Sequence, residues 1–208
     1  MIYPVTEIFI SDQGEGHHVG GAMAFVRLAG CSVTECRIRE HCDEAPFKAN
    51  SRLRADDIVQ TIKAKSLGTG PFRAVCVTGG EPTDHDLLPL LQAFRDEQWP
   101  VHLETSGVRS VAGWPLEWVT VSPKTNDYVV RTGHAIKIVV HPGWTDPWAI
   151  IKGASDGTAF FHHYLQPLYG ADDKPINLDQ VQRLRRMPEN GRGKWDLSLQ
   201  LHKHLGQP

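Results

Sequence analysis

Three cysteines lie close together in the chain at spacings that suit a metal centre. Cys31, Cys36 and Cys42 have four and then five residues between them, and they directly follow an apolar, strand-like run. The fourth cysteine, Cys76, lies far downstream inside another apolar run. An iron–sulfur cluster held by three thiolates leaves one iron open to a small molecule, whereas structural zinc usually takes four protein ligands. The clustered thiols therefore predict a metal site with one open position.

Other interpretations of these cysteines stay open on sequence grounds. His41 precedes Cys42, so Cys31, Cys36, His41 and Cys42 also supply the donor types of a zinc site, which would make the chain a non-catalytic interaction module. Cys76 is expected to be a small core residue. Disulfides are not expected, because uneven cysteines do not resemble the dense framework of a small secreted domain.

Length and charge narrow the class of protein. The 208 residues are 40% hydrophobic, which predicts one domain spanning residues 1–208 with a sizeable core. With 22 Lys and Arg against 24 Asp and Glu, the net charge of -2 provides no general field for nucleic acid or an anionic membrane. No segment approaches the roughly 20 apolar residues of a spanning helix, and the first residues lack a signal-peptide pattern. We therefore expect a cytoplasmic protein that binds neither nucleic acid nor membranes.

Strand-like runs outnumber helical ones, especially in the second half. The predicted strands are Glu7–Ile10, Ala22–Leu28, Arg73–Val77, Val101–Glu104, Trp118–Ser122, Ile136–Val140, Phe160–Gln166 and Trp195–Leu201. The predicted helices are Ala55–Lys65, Asp84–Gln98, starting close before Pro89, and Asn177–Met187, with Asn177 and Gln180 as a capping box. This pattern predicts an α/β fold, a single-domain incomplete TIM-like barrel with few helices in its C-terminal half.

Polar motifs follow the strands, where the carboxyl ends of parallel strands form enzyme sites. They are Cys31–Cys42, Thr78–Pro82, Thr105–Gly107, Ser122–Lys124 and Gln166–Pro167. The Gly79-Gly80 pair lets the backbone approach a ligand closely. Arg27 projects from an apolar strand and needs a partner, either a substrate carboxylate or an internal Asp or Glu. The coincidence of these motifs predicts one shared site.

The same motifs resemble a known family. The resemblance runs from end to end and is carried by Phe9–Gly16, Phe25–Cys31, Thr78–Pro82, Leu103–Gly107, Val121–Lys124, Tyr164–Pro167 and Trp195–Pro208. The chain resembles the 7-carboxy-7-deazaguanine synthases, which are radical S-adenosylmethionine enzymes with a modified radical-SAM barrel. The opening Gln-Gly-Glu-Gly and the closing Ser-Leu-Gln-Leu-His-Lys are narrower than the Gly-Gly-Glu-Pro motif, which radical activases share. The resemblance favours the synthases over an activase acting on a partner protein.

The resemblance implies a reaction and its partners. A 4Fe-4S cluster on Cys31, Cys36 and Cys42 would bind S-adenosylmethionine. The enzyme would then convert 6-carboxy-5,6,7,8-tetrahydropterin to 7-carboxy-7-deazaguanine with loss of ammonia, in queuosine-type 7-deazapurine biosynthesis. A homodimer supplied by a flavodoxin-type electron donor is also implied.

The resemblance also assigns residues. The cofactor-binding candidates are His41, Gly79, Gly80, Glu81, Ser106, Ser122, Lys124 and Gln166. The substrate-binding candidates are Gln13, Gly14, Glu15, Arg27, Thr78, Gln200, His202 and Pro208, with Glu104 as a further candidate in the catalytic pocket.

The chain departs from the family pattern in the cysteine loop, which we define as Cys31–Cys42, and just after it. The family usually has three and then two residues between its cysteines, so this loop is longer. His41 stands where an aromatic residue commonly packs on the adenine. Glu44 stands where a threonine or serine contacts magnesium, and because a carboxylate is also a hard oxygen ligand, we expect Mg2+ still to assist.

Overall fold

One sheet of nine strands organises the protein, described here by a computed structural model at residues 1–42, 48–144, 159–187 and 195–207. The strands are β1 (Ile2–Asp12), β2 (Ala22–Leu28), β3 (Ser51–Arg54), β4 (Val75–Gly79), β5 (Val101–Thr105), β6 (Trp118–Val121), β7 (Thr132–Val140), β8 (Ala159–Pro167) and β9 (Asp196–Leu197). The α-helices of these residues are α1 (Ala55–Thr69), α2 (Leu88–Asp96), α3 (Leu178–Arg186) and α4 (Leu201–Leu205). None of them has the length and apolar character that a bilayer crossing requires.

The strands run in the order β3-β1-β2-β4-β5-β6-β7-β8-β9. From β2 to β9 every neighbouring pair is parallel, whereas β1 is antiparallel to both β2 and β3. The carboxyl ends of the parallel strands therefore share one edge, as predicted. Because β1 runs the other way, its last residues approach from the opposite edge.

The sheet curls into an incomplete barrel. Gln13, just after β1, donates a hydrogen bond of 3.2 Å to Glu104 on β5, and Gln166 on β8 donates one of 3.0 Å to Glu15. Strands that are far apart in the sheet order can meet in this way only if the sheet wraps around a shared interior. In the described residues β3 and β9 remain unjoined edges, which confirms the predicted open, TIM-like α/β fold.

Two helices cover the outside of the first half of the sheet. Helix α1 buries Ile58, Val59 and Ile62, as its spacing predicts. Helix α2 begins at Leu88, so Pro89 falls in the first turn, where a missing N–H costs no hydrogen bond. These faces pack with β1, β2, β4 and β5 into one apolar core, and α3 packs with β6–β8 into a second.

Stacked rings fill the interior at the amino ends of the parallel strands. We define this ring layer as His17, His18, His102, Trp118, His134 and His162. Trp118 is its hub, with ring centroids 4.3 Å from His18, 4.8 Å from His134 and 4.9 Å from His17. The 3₁₀ turn Gly16–His18 brings His17 and His18 against Trp118.

One local prediction at the C-terminal side is wrong, and another is confirmed only in part. The strand predicted at Trp195–Leu201 is only Asp196–Leu197, and the chain then leaves the sheet because the Leu201 amide donates to the Gly14 carbonyl at 2.8 Å. Asn177 is the N-cap residue of α3 and its side chain donates to Gln180 Oε1 at 3.1 Å, but it makes no capping bond to the helix backbone. Its buried amide instead donates to Val140 O at 2.7 Å and accepts from the Leu168 amide at 2.8 Å, which ties β7 to the segment after β8.

Candidate functional site

A cavity of about 370 Å³ lies inside the barrel, a volume usual for small-ligand sites. Nearly every residue predicted for the site lines it. They are Gln13, Gly14, Glu15, Arg27, Cys31, Cys36, His41, Cys42, Thr78, Gly79, Gly80, Glu104, Ser106, Ser122, Lys124, Gln166, Gln200 and His202. Glu81 lies outside the lining, and Glu44 and Pro208 lie outside the described residues.

The three loop cysteines face this cavity as free thiols. Asp84 anchors the start of the loop by accepting from the Ser32 amide at 2.7 Å and the Ser32 hydroxyl at 2.6 Å. Within the part of the chain that is described, no three His, Cys, Asp or Glu side chains are assembled around a single metal ion. Three thiols that line one cavity supply the donor set of an iron–sulfur cluster with one open iron.

The Gly79-Gly80 pair packs directly against the stem of the cysteine loop. A Cβ on Gly79 would lie 2.0 Å from Leu28 O, and a Cβ on Gly80 would lie 2.1 Å from Gly30 O. Gly79 also has a φ of 137°, which disfavours other residues. Both positions therefore require glycine to keep the loop stem beside β4, and the pair still lines the cavity as predicted.

Glu81 lies outside the cavity lining, although its carboxylate was predicted to bind the cofactor. It is only 1% exposed, and its Oε1 accepts from Thr83 N at 3.1 Å, Thr83 Oγ1 at 2.6 Å and Thr105 Oγ1 at 2.5 Å. Its Oε2 accepts from the Ser106 amide at 2.8 Å and from the Ser106 hydroxyl. With these bonds made, Glu81 acts on the cavity through the position of Ser106, which does line it.

Ser122 and Lys124 form a polar corner beside the cysteine loop. The Lys124 ammonium donates to Ser122 Oγ at 2.7 Å. Burial, with a smaller contribution from the nearby Lys137, lowers the pKa of Lys124. His41 is exposed in the short turn Arg39–His41 but also lines the cavity, 5.8 Å from the ring of His141. These side chains meet around the space that the thiols face.

The opposite part of the cavity is built around two carboxylates. Glu15 and Glu104 both contact the ammonium of Lys137, which lies 3.1 Å from Glu104 Oε2 and in direct contact with Glu15 Oε2. Burial opposes ionisation of Glu15, but Lys137, Gln200 and His202 outweigh it and lower its pKa from 4.5 to about 2. Burial would likewise lower the pKa of Lys137, but the two carboxylates raise it above its usual range. The cavity therefore contains two carboxyl groups that share one buried lysine.

Amides from β8 and from the C-terminal segment complete this carboxylate network. Gln166 and Gln200 donate to Glu15 Oε1 at 3.0 and 2.7 Å, and the Ser198 hydroxyl donates to Gln166 at 2.9 Å. Gln166 was predicted to bind the cofactor, but the structure brings it to the predicted substrate residues, because β8 lies beside the C-terminal segment. Gln200 and Glu15 come together as predicted.

Gly14 and His202 are in close contact. A Cβ on Gly14 would lie 1.9 Å from His202 Nδ1, so only glycine leaves room for the ring. Helix α4 carries His202 to this place, since the Leu201 amide is bonded to the Gly14 carbonyl. The two residues predicted at opposite ends of the chain therefore form one wall.

Arg27 has an internal partner, which was the second of its two predicted alternatives. Its guanidinium forms an ion pair with Glu7 on the neighbouring β1 and lies 5.3 Å from the centre of the Phe9 ring. Arg27 also lines the cavity, as does Thr78 in the register position beside it. Glu7 positions this guanidinium at the edge of the cavity.

Lys137 is the functional-site residue that the sequence reasoning missed. A signal was present, because Lys137 interrupts the apolar run Ala135–Val140 just as Arg27 interrupts β2, and a buried charge needs partners. Cys76 is fully buried with Met23 and Phe25, and burial raises the pKa of its thiol well above normal. The prediction that Cys76 is a core residue is confirmed, although it also borders the cavity.

The comparisons with known proteins agree with this geometry. No protein-family model matches the chain. It is 31% identical over 219 residues to a 7-carboxy-7-deazaguanine synthase of Bradyrhizobium diazoefficiens, covering 99% of both chains. A synthase of the same name from Synechocystis is 31% identical over 98% of this chain and 93% of its own.

A solved structure shows the same fold. It is titled as the crystal structure of QueE from Escherichia coli, and it aligns with a TM-score of 0.71 and 25% identity over 97% of this chain and 95% of that one. The chain belongs to the 7-carboxy-7-deazaguanine synthase family.

Proposed function

We propose that this chain is a radical S-adenosylmethionine enzyme that converts 6-carboxy-5,6,7,8-tetrahydropterin to 7-carboxy-7-deazaguanine with loss of ammonia, in queuosine-type biosynthesis. One observation carries the proposal. The same cavity is lined by three loop thiols and by a lysine-held pair of carboxylates. The thiols suit a cluster, and the carboxylates suit a ligand with several N–H donors, so the two halves of the cavity fit a cofactor and a pterin.

The cofactor half is assigned to residues at the carboxyl ends of the strands. Cys31, Cys36 and Cys42 would hold the 4Fe-4S cluster, and the backbone of Gly79 and Gly80 would lie beside S-adenosylmethionine with Ser106, Ser122 and Lys124. When bound, the cluster and S-adenosylmethionine supply the one-electron chemistry that removes a hydrogen atom from the substrate. The protein's contribution is to orient that cofactor toward one C–H bond and to exclude water.

The substrate half is assigned to the deeper residues. Glu15 and Glu104 are acceptors for the N–H groups of the pterin, and Gln13, Gln200 and His202 surround the same space. Arg27 carries a positive charge at the cavity edge that suits the substrate carboxylate. Buried polar groups of this kind reject analogues that leave them unpaired.

One assay tests the proposed reaction. Reduced, reconstituted enzyme should convert 6-carboxytetrahydropterin to 7-carboxy-7-deazaguanine, detected by mass spectrometry, without a partner protein. Iron and sulfide should be bound in the same preparation. Zinc without sulfide would instead identify a structural zinc module, and S-adenosylmethionine cleavage that yields product only with a protein substrate would identify an activase.

We also propose that Mg2+ assists turnover and that Glu44 contacts it. The support is chemical, since a carboxylate is a hard oxygen ligand in a position where the family usually has a hydroxyl. Turnover after rigorous chelation should fall and should return on titration with Mg2+. Unchanged turnover after chelation would contradict this proposal.

The remaining assignments follow from family membership. We propose one catalytic domain over residues 1–208, a homodimer, a flavodoxin-type electron donor and a cytoplasmic location. Sedimentation equilibrium tests the dimer. Turnover with flavodoxin, its reductase and NADPH, compared with dithionite alone, tests the donor.

A further inference from the structure

Lys137 lies where it controls the charge of the substrate half of the cavity. It is 4% exposed on β7, and its ammonium contacts both Glu15 and Glu104. Two other cations line the same cavity, and each contacts a different group. Arg27 pairs with Glu7, and Lys124 donates to Ser122. Lys137 is therefore the cation that both cavity carboxylates share.

The two carboxylates differ in how fully they are engaged. Glu15 accepts from Lys137, Gln166 and Gln200, whereas the described partners of Glu104 are Gln13 and Lys137. An ionised carboxylate accepts about four hydrogen bonds. Glu104, with a side chain that is 21% exposed and lines the cavity, thus keeps acceptor capacity for a ligand.

Removal of the shared cation would change what these groups can bind. Burial opposes ionisation of Glu15 and Lys137 is the strongest influence that favours it, so without Lys137 the Glu15 carboxyl would hold a proton more readily. A protonated carboxyl is a donor as well as an acceptor. The two carboxyl groups could then bind a ligand that presents a hydrogen-bond acceptor as well as one that presents only N–H donors.

We propose that Lys137 is a positioning and specificity residue that holds the Glu15 and Glu104 carboxylates as hydrogen-bond acceptors, so that the cavity selects a ligand edge made of N–H donors. The proposal rests on the proposed function, since a pterin's 2-amino pyrimidinone has such an edge. A lumazine carries an oxygen in place of that amino group and would direct an acceptor at the same carboxylates.

The experiment compares binding of 6-carboxypterin and 6-carboxylumazine, followed by ligand fluorescence, to anaerobic holoenzyme with S-adenosylmethionine. The native protein should bind the pterin about 100-fold more tightly than the lumazine. In Lys137→Met this preference should fall by at least about tenfold, mainly through weaker pterin binding. The KM for the tetrahydropterin should rise in parallel.

The matched control is Lys63→Met, which removes the lysine of an exposed ion pair with Glu97 and should leave both affinities unchanged. If Lys137→Met does not fold, Lys137→Gln removes the charge but keeps a hydrogen-bonding side chain beside Glu15 and Glu104, and it should show the same loss of preference. A retained preference in a folded variant overturns the role of Lys137. Failure of the native protein to turn over the tetrahydropterin instead overturns the proposed function.

Discussion

At the scale of single residues, the cavity depends on contacts that allow little substitution. Gly14 leaves room for His202, Gly79 and Gly80 leave room for the loop stem, and Glu81 fixes Ser106 through two hydrogen bonds. These residues act by fixing the positions of other residues that line the cavity. Their substitution should therefore change binding before it changes the fold.

Alanine substitution should distinguish the three loop cysteines from the core cysteine Cys76. Cys31→Ala removes a proposed cluster ligand, so bound iron, sulfide and turnover should be lost. Cys76→Ala should retain the cluster and cost about 1 kcal/mol of stability, because it removes only a buried sulfur from a packed core. Iron and sulfide analysis with a thermal melt measures both. Loss of iron from Cys76→Ala but not from Cys31→Ala would contradict the ligand assignment.

Gly14→Ala should weaken substrate binding. The new Cβ would lie 1.9 Å from His202 Nδ1, so the ring must move, at a cost of about 1–3 kcal/mol. Titration with 6-carboxypterin and a thermal melt measure the effect. Gly68→Ala is the control, because in α1 a Cβ meets nothing within 4 Å and should leave stability equal or slightly higher. Native affinity in Gly14→Ala would exclude His202 from the binding wall.

At the scale of elements, the parallel strands have chemically distinct ends. Their carboxyl ends carry the thiols, glycines and hydroxyls of the cofactor half, whereas the ring layer lies at their amino ends. The Val119 amide donates to His134 Nδ1 at 3.0 Å, which ties β6 to the part of the ring layer on β7.

Acid should destabilise the ring layer. Burial, then His18 and His134, lowers the pKa of His102 from 6.5 to about 4. Burial and neighbouring histidines also lower the pKa of His18, which faces Arg73, and of His162, which faces Asp196. Unfolded histidines bind protons first, so stability should be full above pH 6.5 and fall as pH decreases toward 4.

The free energy of unfolding, measured in urea at several pH values between about 7 and 5, tests this prediction. Most carboxyl groups have pKa values below this range, so they contribute little to the change. His102→Phe should reduce the slope of stability against pH, while His141→Phe, outside the ring layer, should leave it unchanged. An equal slope for His102→Phe and the native protein would show that His102 is not held neutral.

At the scale of the whole molecule, the C-terminal segment closes the cavity across the open side of the sheet. Ser198 accepts from the Gly16 amide at 3.1 Å, and the Leu201 amide donates to Gly14, so the chain's last described part is bonded to the turn after β1. The opening and closing motifs of the sequence are thereby brought together.

A chain that ends at Leu199 should lose substrate binding while keeping its cluster. It lacks His202 and also Gln200, whose amide lies 2.7 Å from Glu15, so affinity for 6-carboxypterin should fall by about 10- to 100-fold. Iron content should stay near native, because the cysteine loop is anchored elsewhere. Leu205→Ala, at an exposed position, is the control. Native affinity in the shortened chain would contradict the closing role of the segment.

The sequence by itself determined most elements and the family. Strand β2 matches its predicted bounds, and the apolar faces of α1 and α2 are those that their periodicity predicted, because these patterns are local. It did not reveal the four-residue strand β3 or the early end of β9, since short edge pairings depend on a distant partner strand.

Only the tertiary structure decided which polar residues meet. Gln166 joins Glu15 rather than the cofactor candidates, Glu81 is satisfied by hydroxyls, and Lys137 holds two carboxylates that are 122 and 33 residues away in the chain. Sequence spacing shows that a buried charge needs a partner. The partner's identity depends on how the sheet curls, because curling brings strands that are not neighbours to one interior.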